Sequence, residues 1–213
     1  MNSLKPLAFL FDIDGVVVRW FSRLPDFLKS KGLPYEHVIK GMNKNIYMNL
    51  VDIFSTNCEK KAFALAREYN SSQYIAELDA FDEKVGPVLR ELSKRGELIA
   101  VTCIGDDEKC HFFRKENLAA ICGEDLFEEI HCLDIQQNKA PVIKEIAERK
   151  NVAFFVDDRP KHVREAISVG VRGYQFLKDV EEHDIDHELN HVPCWDGILL
   201  LADGMICPTV NQH

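Results

Sequence analysis

The stretch that most constrains this chain is Ala8-Phe9-Leu10-Phe11-Asp12-Ile13-Asp14-Gly15-Val16-Val17. Its unbroken apolar start predicts a strand buried on both faces, the pattern of a parallel sheet covered by helices. The run stops at two carboxylates one residue apart, followed by a glycine. Side chains alternate across a strand, so Asp12 and Asp14 share a face if both lie in the extended or just-turning segment. Gly15 lets the backbone turn sharply there. Ligands of open parallel sheets bind at the carboxyl ends of strands, where these acids fall. Two carboxylates this close repel each other, and a divalent cation relieves the repulsion. Hard Mg²⁺ takes oxygen ligands, commonly one or two carboxylates with waters and a substrate phosphate. A strand end capped by solvated acids gives the same local pattern, so the rest of the chain has to decide.

The strand–helix alternation breaks off and then resumes. After Val16–Val18 the residues Arg19-Trp20-Phe21, Leu24, Phe27 and Leu28 fall at helical spacing, and Gly32 and Pro34 stop that helix. From Tyr35 to Tyr74 short amphipathic patterns follow one another: Ile39 and Met42, then Ile46, Leu50, Val51 and Phe54, then Ala62, Leu65 and Ala66. Asn57 and Asn70 serve as caps or breaks between them. No strand pattern occurs here, which predicts a helical insertion between two pieces of a sheet.

Near Asp82 the α/β rhythm returns. Val85, Val88, Leu89 and Leu92 form a helix face ending at Gly96, and 98–103 (Leu-Ile-Ala-Val-Thr-Cys) is a buried strand. A helix from Asp106 to Asn117, a short strand over 130–133, a helix capped by Asn138 and running through Arg149, and a buried strand over 152–156 follow. That last strand ends in Asp157-Asp158-Arg159-Pro160. A short helix over 163–169 and a strand over 171–176 precede a polar segment rich in Glu, Asp and His. The piece from Ile198 to Ala202 fits strand or helix equally. This alternation predicts an α/β, doubly wound, Rossmann-like parallel sheet.

A chain of 213 residues has room for one such domain and a modest insertion, and 46% apolar residues make it globular. The net charge of -9 argues against an extended nucleic-acid surface. The amino-terminal apolar run is short, lacks a small-residue cleavage site and already contains the acids, so it does not read as a secretory signal. No apolar stretch approaches membrane-spanning length. The seven cysteines (58, 103, 110, 122, 132, 194 and 207) are odd in number and contain no Cys-x-x-Cys pair, which fits a reducing, cytoplasmic setting.

In a parallel sheet, Asp12 and Asp14, Thr102, and Asp157 and Asp158 all gather at one edge, with Lys139 at a helix start nearby. Several acids, one hydroxyl and one ammonium suit a phosphoryl group: a metal held by carboxylates, with Thr and Lys on the nonbridging oxygens. Taken singly, Lys139 is also an ordinary first-turn helix residue, and Thr102 an ordinary β-branched strand residue.

In this order, Asp-x-Asp-Gly after a first strand, Thr at the end of a second, a later Lys, and Asp-Asp after a buried strand resemble the four motifs of the haloacid dehalogenase superfamily. The resemblance covers about Leu7 to Phe176. It implies that Asp12 is the nucleophile that becomes an aspartyl-phosphate. Asp14 would be the acid that protonates the leaving oxygen and later the base that activates water. Asp12, Asp157 and the main-chain carbonyl of Asp14 would hold Mg²⁺, with Asp158 ligating directly or through water, and Thr102 and Lys139 would orient the phosphoryl group. An Asp at the second position implies phosphatase or phosphotransferase chemistry over dehalogenation. The chemistry is sound on its own grounds. A carboxylate nucleophile divides a difficult hydrolysis into two easier steps, and Asp14 must give a proton in the first and take one in the second.

The helical insertion falls where this superfamily places a type-one cap, implying a core of residues 1–18 and 80–213 with a cap of 19–79. The run from Asp12 to Trp20, with Val156-Asp157-Asp158-Arg159-Pro160, is similar to the 5'(3')-deoxyribonucleotidase branch, where an aromatic residue matching Trp20 helps sandwich the base. Stacking of that kind contributes about 1–3 kcal/mol. Trp20 and Phe21 also fit a plain anchor of the cap to the core. Thr102-Cys103-Ile104-Gly105 departs from that branch, which has further hydroxyl residues there.

His183, His187 and His191 recur at helical spacing with Cys194 close behind, a set suited to Zn²⁺ if it lies on one helix face. A solvated acidic helix explains the same residues. The expected activity is therefore a Mg²⁺-dependent phosphomonoesterase acting on a small phosphorylated substrate, with (deoxy)nucleoside monophosphates as one class. Another small phosphate ester or a polynucleotide end is the alternative. Receiver-type signalling modules also surround a phosphorylated Asp with acids, Thr and Lys, but they lack an insertion after the first strand. A non-catalytic binding protein of the same fold is the remaining reading, against which the intact residue set argues.

Overall fold

The computed structural model describes residues 5–44 and 48–204. Ile46 and Cys207, used above, lie outside the described residues. In chain order the strands are β1 (Leu7–Phe11), β2 (Glu97–Thr102), β3 (Phe127–Cys132), β4 (Asn151–Asp157), β5 (Gly173–Phe176) and β6 (Asn190–Val192). The α-helices are α1 (Leu24–Ser30), α2 (Glu36–Lys44), α3 (Leu50–Ile53), α4 (Glu59–Asn70), α5 (Val85–Ser93), α6 (Glu108–Cys122), α7 (Ala140–Arg149), α8 (Pro160–Ser168) and α9 (Trp195–Ala202).

All six strands are parallel, in the order β3-β2-β1-β4-β5-β6. This is the doubly wound α/β architecture that the alternation predicts. β1 lies inside the sheet, and the winding direction reverses between it and β4. That reversal opens a crevice at the strands' carboxyl ends, the position where open α/β sheets bind ligands.

The central strands β1, β2 and β4 are buried on both sides, which explains why they lack polar alternation. Phe9, Phe11, Leu98, Ala100, Phe154 and Val156 face one layer, together with α5, α6 and α9. Ala8, Leu10, Ile99, Val101 and Phe155 face the other, against Ile143 and Ile146 of α7 and Ala166 of α8. Each fully buried Leu, Ile, Val or Phe among them contributes about 1.5–3 kcal/mol. The helices start where their sequences dictate. Asp107 accepts from the N–H groups of Lys109 and Cys110 at 2.9 and 3.0 Å, and Asn138 accepts from that of Ala140 at 2.7 Å.

Among the described residues, the named elements between β1 and α5 are all α-helices or 3₁₀ helices. The two passages into and out of this segment run side by side. Arg19 N–H donates to Asp79 O at 2.9 Å, Phe81 N–H to Val17 O at 2.8 Å, and Val18 bridges Ala80. None of the described helices is long and apolar enough to cross a membrane.

Two expectations change. The stretch 195–202, open between strand and helix, is α9; it buries Trp195 and Ile198 and leaves Leu200 exposed. The helix expected across His183, His187 and His191 is not formed. His183 sits in a 3₁₀ turn (Glu182–Asp184), His187 in a turn, and His191 in β6. The cause is Gln175, fully buried on β5. Its amide donates to Asp184 O at 2.8 Å and accepts from Asp186 N–H at 3.0 Å, so the backbone groups a helix needs are taken.

Candidate active site at the reversal of the sheet

Asp12 directly follows β1 and is only 5% exposed. Its N–H donates to Val156 O at 2.8 Å, tying the end of β1 to β4. Lys139, fully buried at the start of α7, reaches across: its Nζ donates to Asp12 Oδ1 at 2.6 Å and to Asp157 Oδ2 at 2.7 Å. Its own N–H is held by Glu165 Oε2 at 2.9 Å, and the same oxygen accepts from or pairs with His162 Nδ1 at 2.8 Å. One ammonium thus bridges the ends of β1 and β4.

Burial dominates the protonation of this group. It pushes the Asp12 carboxyl up to about 6, helped by Asp157 and Asp14 and opposed by Lys139. Asp158 is pushed well above the ordinary carboxylate range by burial, then by Asp157 and Asp12. Desolvation acts to lower Lys139, but Asp12 and Asp157 outweigh it and hold the ammonium above its usual value. More negative charge is gathered here than Lys139 balances.

The donor set fits a hard divalent cation. Carboxylate oxygens of Asp12, Asp157 and Asp158 all lie within 4.8 Å of one another, the one such group among the described residues. Asp158 Oδ1 is buried with no hydrogen-bond partner, which is costly unless something else satisfies it. Gly15, at φ +88°, is required twice over: a Cβ there would strain the backbone and would lie 2.4 Å from Asp158 Oδ2.

Asp14 is handled differently. Arg114 of α6 places Nη2 2.6 Å from its Oδ1 and 2.8 Å from its Oδ2, and the Thr102 hydroxyl donates to Oδ2 at 3.1 Å. The structure therefore brings Asp12, Lys139, Asp157 and Asp158 into one cluster and sets Asp14 and Thr102 beside it with Arg114. The sequence analysis missed Arg114. A signal existed: Cys110, Arg114, Asn117 and Leu118 form the buried stripe of α6, so two polar residues stand on an apolar face.

Trp20 is half-buried and held on several sides. Its Nε1 donates to Asn70 Oδ1 at 2.9 Å, its carbonyl accepts from Tyr69 Oη at 2.8 Å, and Phe21 and Tyr69 meet its ring edge-on at 5.1 Å. Asn70 Nδ2 donates to Ile104 O at 2.7 Å, linking the end of α4 to the loop after β2. The histidine set does not assemble into a ligand group. His183 pairs with Glu181 and Asp184, and His187 with Glu182, all on the surface.

No family model matches the chain. A curated relative, the uncharacterized 32.4 kDa protein in the Gp30-rIII intergenic region of Enterobacteria phage T4, is 27% identical over 196 residues, spanning 92% of this chain and 69% of its own. Solved structures superpose over nearly the whole chain. A predicted phosphatase from Clostridium acetobutylicum covers 95% of this chain and 100% of its own, at TM-score 0.67 and 17% identity. A haloacid dehalogenase-like family hydrolase from Streptococcus pneumoniae covers 96% and 100%, at TM-score 0.63 and 18% identity. The fold is that of the haloacid dehalogenase-like hydrolases.

Proposed function

We propose that this chain is a haloacid dehalogenase-type phosphomonoesterase that works through an aspartyl-phosphate on Asp12. The observation that carries this reading is Lys139, whose ammonium bridges Asp12 and Asp157 at the reversal of the sheet beside the unpartnered Asp158 oxygen. A carboxylate buried next to a fixed ammonium is a preorganised nucleophile for an electron-poor phosphorus. In the first step an Asp12 oxygen bonds to phosphorus, the ester P–O bond breaks, and Asp14 passes its proton to the leaving oxygen. In the second step Asp14 takes a proton from water, that water oxygen bonds to phosphorus, and the Asp12–phosphorus bond breaks to release inorganic phosphate. Lys139 remains on the cluster throughout and offsets charge on the transferring oxygens.

Asp12, Asp157, Asp158 and the main-chain carbonyl of Asp14 would hold Mg²⁺. When bound, the cation offsets the negative charge of the carboxylates and of the phosphoryl oxygens. The helical segment 19–79 would act as a cap over the core of 1–18 and 80–213, a division supported by the paired passages at Val17–Arg19 and Asp79–Phe81. The substrate is a small phosphate ester. Nucleoside monophosphates are the first class to test, although the bonds on Trp20 favour an anchor over a free stacking platform. All six cysteines among the described residues are free, which supports a reducing, cytoplasmic setting.

The test is phosphate release from a panel of phosphate esters in Mg²⁺. The parent is expected to turn over at least one class, and Asp12→Asn to abolish turnover while melting like the parent. Trp20→Ala should lower thermal stability and harm nucleotides and p-nitrophenyl phosphate in step; a selective loss on nucleotides would assign the ring to base stacking. A parent inactive on the whole panel, or an active Asp12→Asn, would overturn the covalent phosphatase reading.

A further inference from the structure

The steps above leave out one fully buried cation. Arg114 has no exposed surface, and its Nε finds no hydrogen-bond partner. A buried charge without a matched partner is strongly destabilising, so its place on the apolar stripe of α6 depends on Asp14. That partnership is close: one Nη2 lies 2.6 and 2.8 Å from the two carboxylate oxygens. Arg114 also has a second neighbour. Its Nη1 approaches Asn117 Oδ1 at 3.4 Å, and Asn117 Nδ2 donates to Leu78 O at 2.8 Å. Leu78 lies where the chain leaves the helical segment and returns to the sheet, one residue before the paired passage at Asp79. A hydrogen-bonded line therefore runs from the exit of the helical segment, through Asn117 and Arg114, to Asp14.

The two carboxylates of Asp-x-Asp-Gly thus answer to different cations on different elements. Lys139, from the start of α7, holds Asp12. Arg114, from α6, holds Asp14. The separation has a consequence for the chemistry. Asp14 is kept off the cluster that Asp12, Asp157 and Asp158 form, with its carboxylate aimed by two donors, Arg114 and Thr102.

We infer that Arg114 is the positioning residue for Asp14, and that Asn117 couples this setting to the seating of the helical segment. The inference rests on the phosphatase reading. In the first step Arg114 pairs with the carboxylate that proton delivery leaves on Asp14, and its contacts fix where that carboxylate stands. Its contribution therefore scales with how much the leaving oxygen needs that proton. An alkoxide needs it fully. A p-nitrophenolate leaves with little help.

The experiment compares an alkyl phosphate with p-nitrophenyl phosphate for the parent, Arg114→Gln, Asn117→Ala and Asp14→Asn. Arg114→Gln should lose kcat on the alkyl ester by about 10²-fold or more, the scale of general acid catalysis, with a much smaller loss on p-nitrophenyl phosphate and little change in KM. Asn117→Ala should show the same skew, weaker. Adding Arg114→Gln to Asp14→Asn should cost little further, because groups that act as one unit are non-additive. Equal losses on both esters, or losses that multiply in the double variant, would overturn the role of Arg114 and leave the phosphatase reading intact. A parent that hydrolyses neither ester would overturn both. If Arg114→Gln does not fold by near-ultraviolet circular dichroism, Arg114→Lys takes its place, and equal losses on both esters there overturn the role of Arg114; a parent-like ratio of the two esters in Asn117→Ala refutes the coupling.

Discussion

Two regions of this chain gather acids with basic partners, and they could hardly behave more differently. At the reversal of the sheet, Asp12 and Asp157 are almost fully buried around a Lys139 that is itself buried. In the polar segment after β5, His183 and His187 pair with Glu181, Glu182 and Asp184, and both histidines are well exposed at 63% and 72%. Exposed pairs of this kind are worth about 0–1 kcal/mol, because water screens them and their side chains lose freedom to meet. Buried charges interact through a poorer dielectric, so each must be matched or the group changes protonation. Residue type and spacing mark both regions as candidates. Burial separates them.

The largest effect should come from removing the buried ammonium. Lys139→Met leaves Asp12 and Asp157 facing each other without a cation, and breaking a buried pair by removing one partner costs about 3–5 kcal/mol. Chemical denaturation should show that loss in chelator, and turnover should vanish. A variant as stable as the parent would place this cluster with the surface pairs.

A middle-sized effect concerns pH. The Asp12 carboxyl is raised from 3.8 to about 6, chiefly by burial, and Asp158 is raised for the same reason. Carboxyls raised on folding favour the folded state when protonated. For Asp12 that stabilisation is full below 3.8 and is lost as pH rises through about 6. Asp158→Asn removes the contribution of its own carboxyl. In chelator its Tm should therefore exceed the parent's by a margin that widens as pH rises out of the ordinary Asp range. Mg²⁺ should raise the parent's Tm and leave the variant's nearly unchanged. A margin independent of pH would mean that Asp158 is not strained by its neighbours.

The smallest effect is expected at the exposed region. Replacing both His183 and His187 by Ala should move stability within about 0.5 kcal/mol. Isothermal titration with Zn²⁺ should give the same trace for parent and variant. Tight Zn²⁺ binding that the double variant abolishes would restore the histidine set as a site and undo the contrast.

Strands β1 to β5 and the acidic edge were legible in the sequence because each depends on local pattern, whereas the three-residue β6 lay inside the segment read only as polar. Apolar runs of strand length ending in Asp12, Thr102 and Asp157 state both the buried strands and what sits at their ends. The cap at Asn138 is equally local. The histidine set was misread because its four-residue spacing imitates a helix, while Gln175, eight positions before His183 and on another element, claims the backbone groups of that loop. Trp20 was left between anchor and stacking platform, and the bond it donates to Asn70, fifty residues away, is what favours the anchor.

What the sequence determined by itself was therefore the class of fold and the identity of the groups at the β1–β4 edge, since hydrophobic period and strand-end chemistry are written in neighbouring residues. Which carboxylate meets which cation was decided only by tertiary structure. Lys139 joins Asp12 across 127 positions and Arg114 joins Asp14 across 100. Such partnerships form because a buried charge must find its counterpart wherever packing brings one near, and no local pattern records that need.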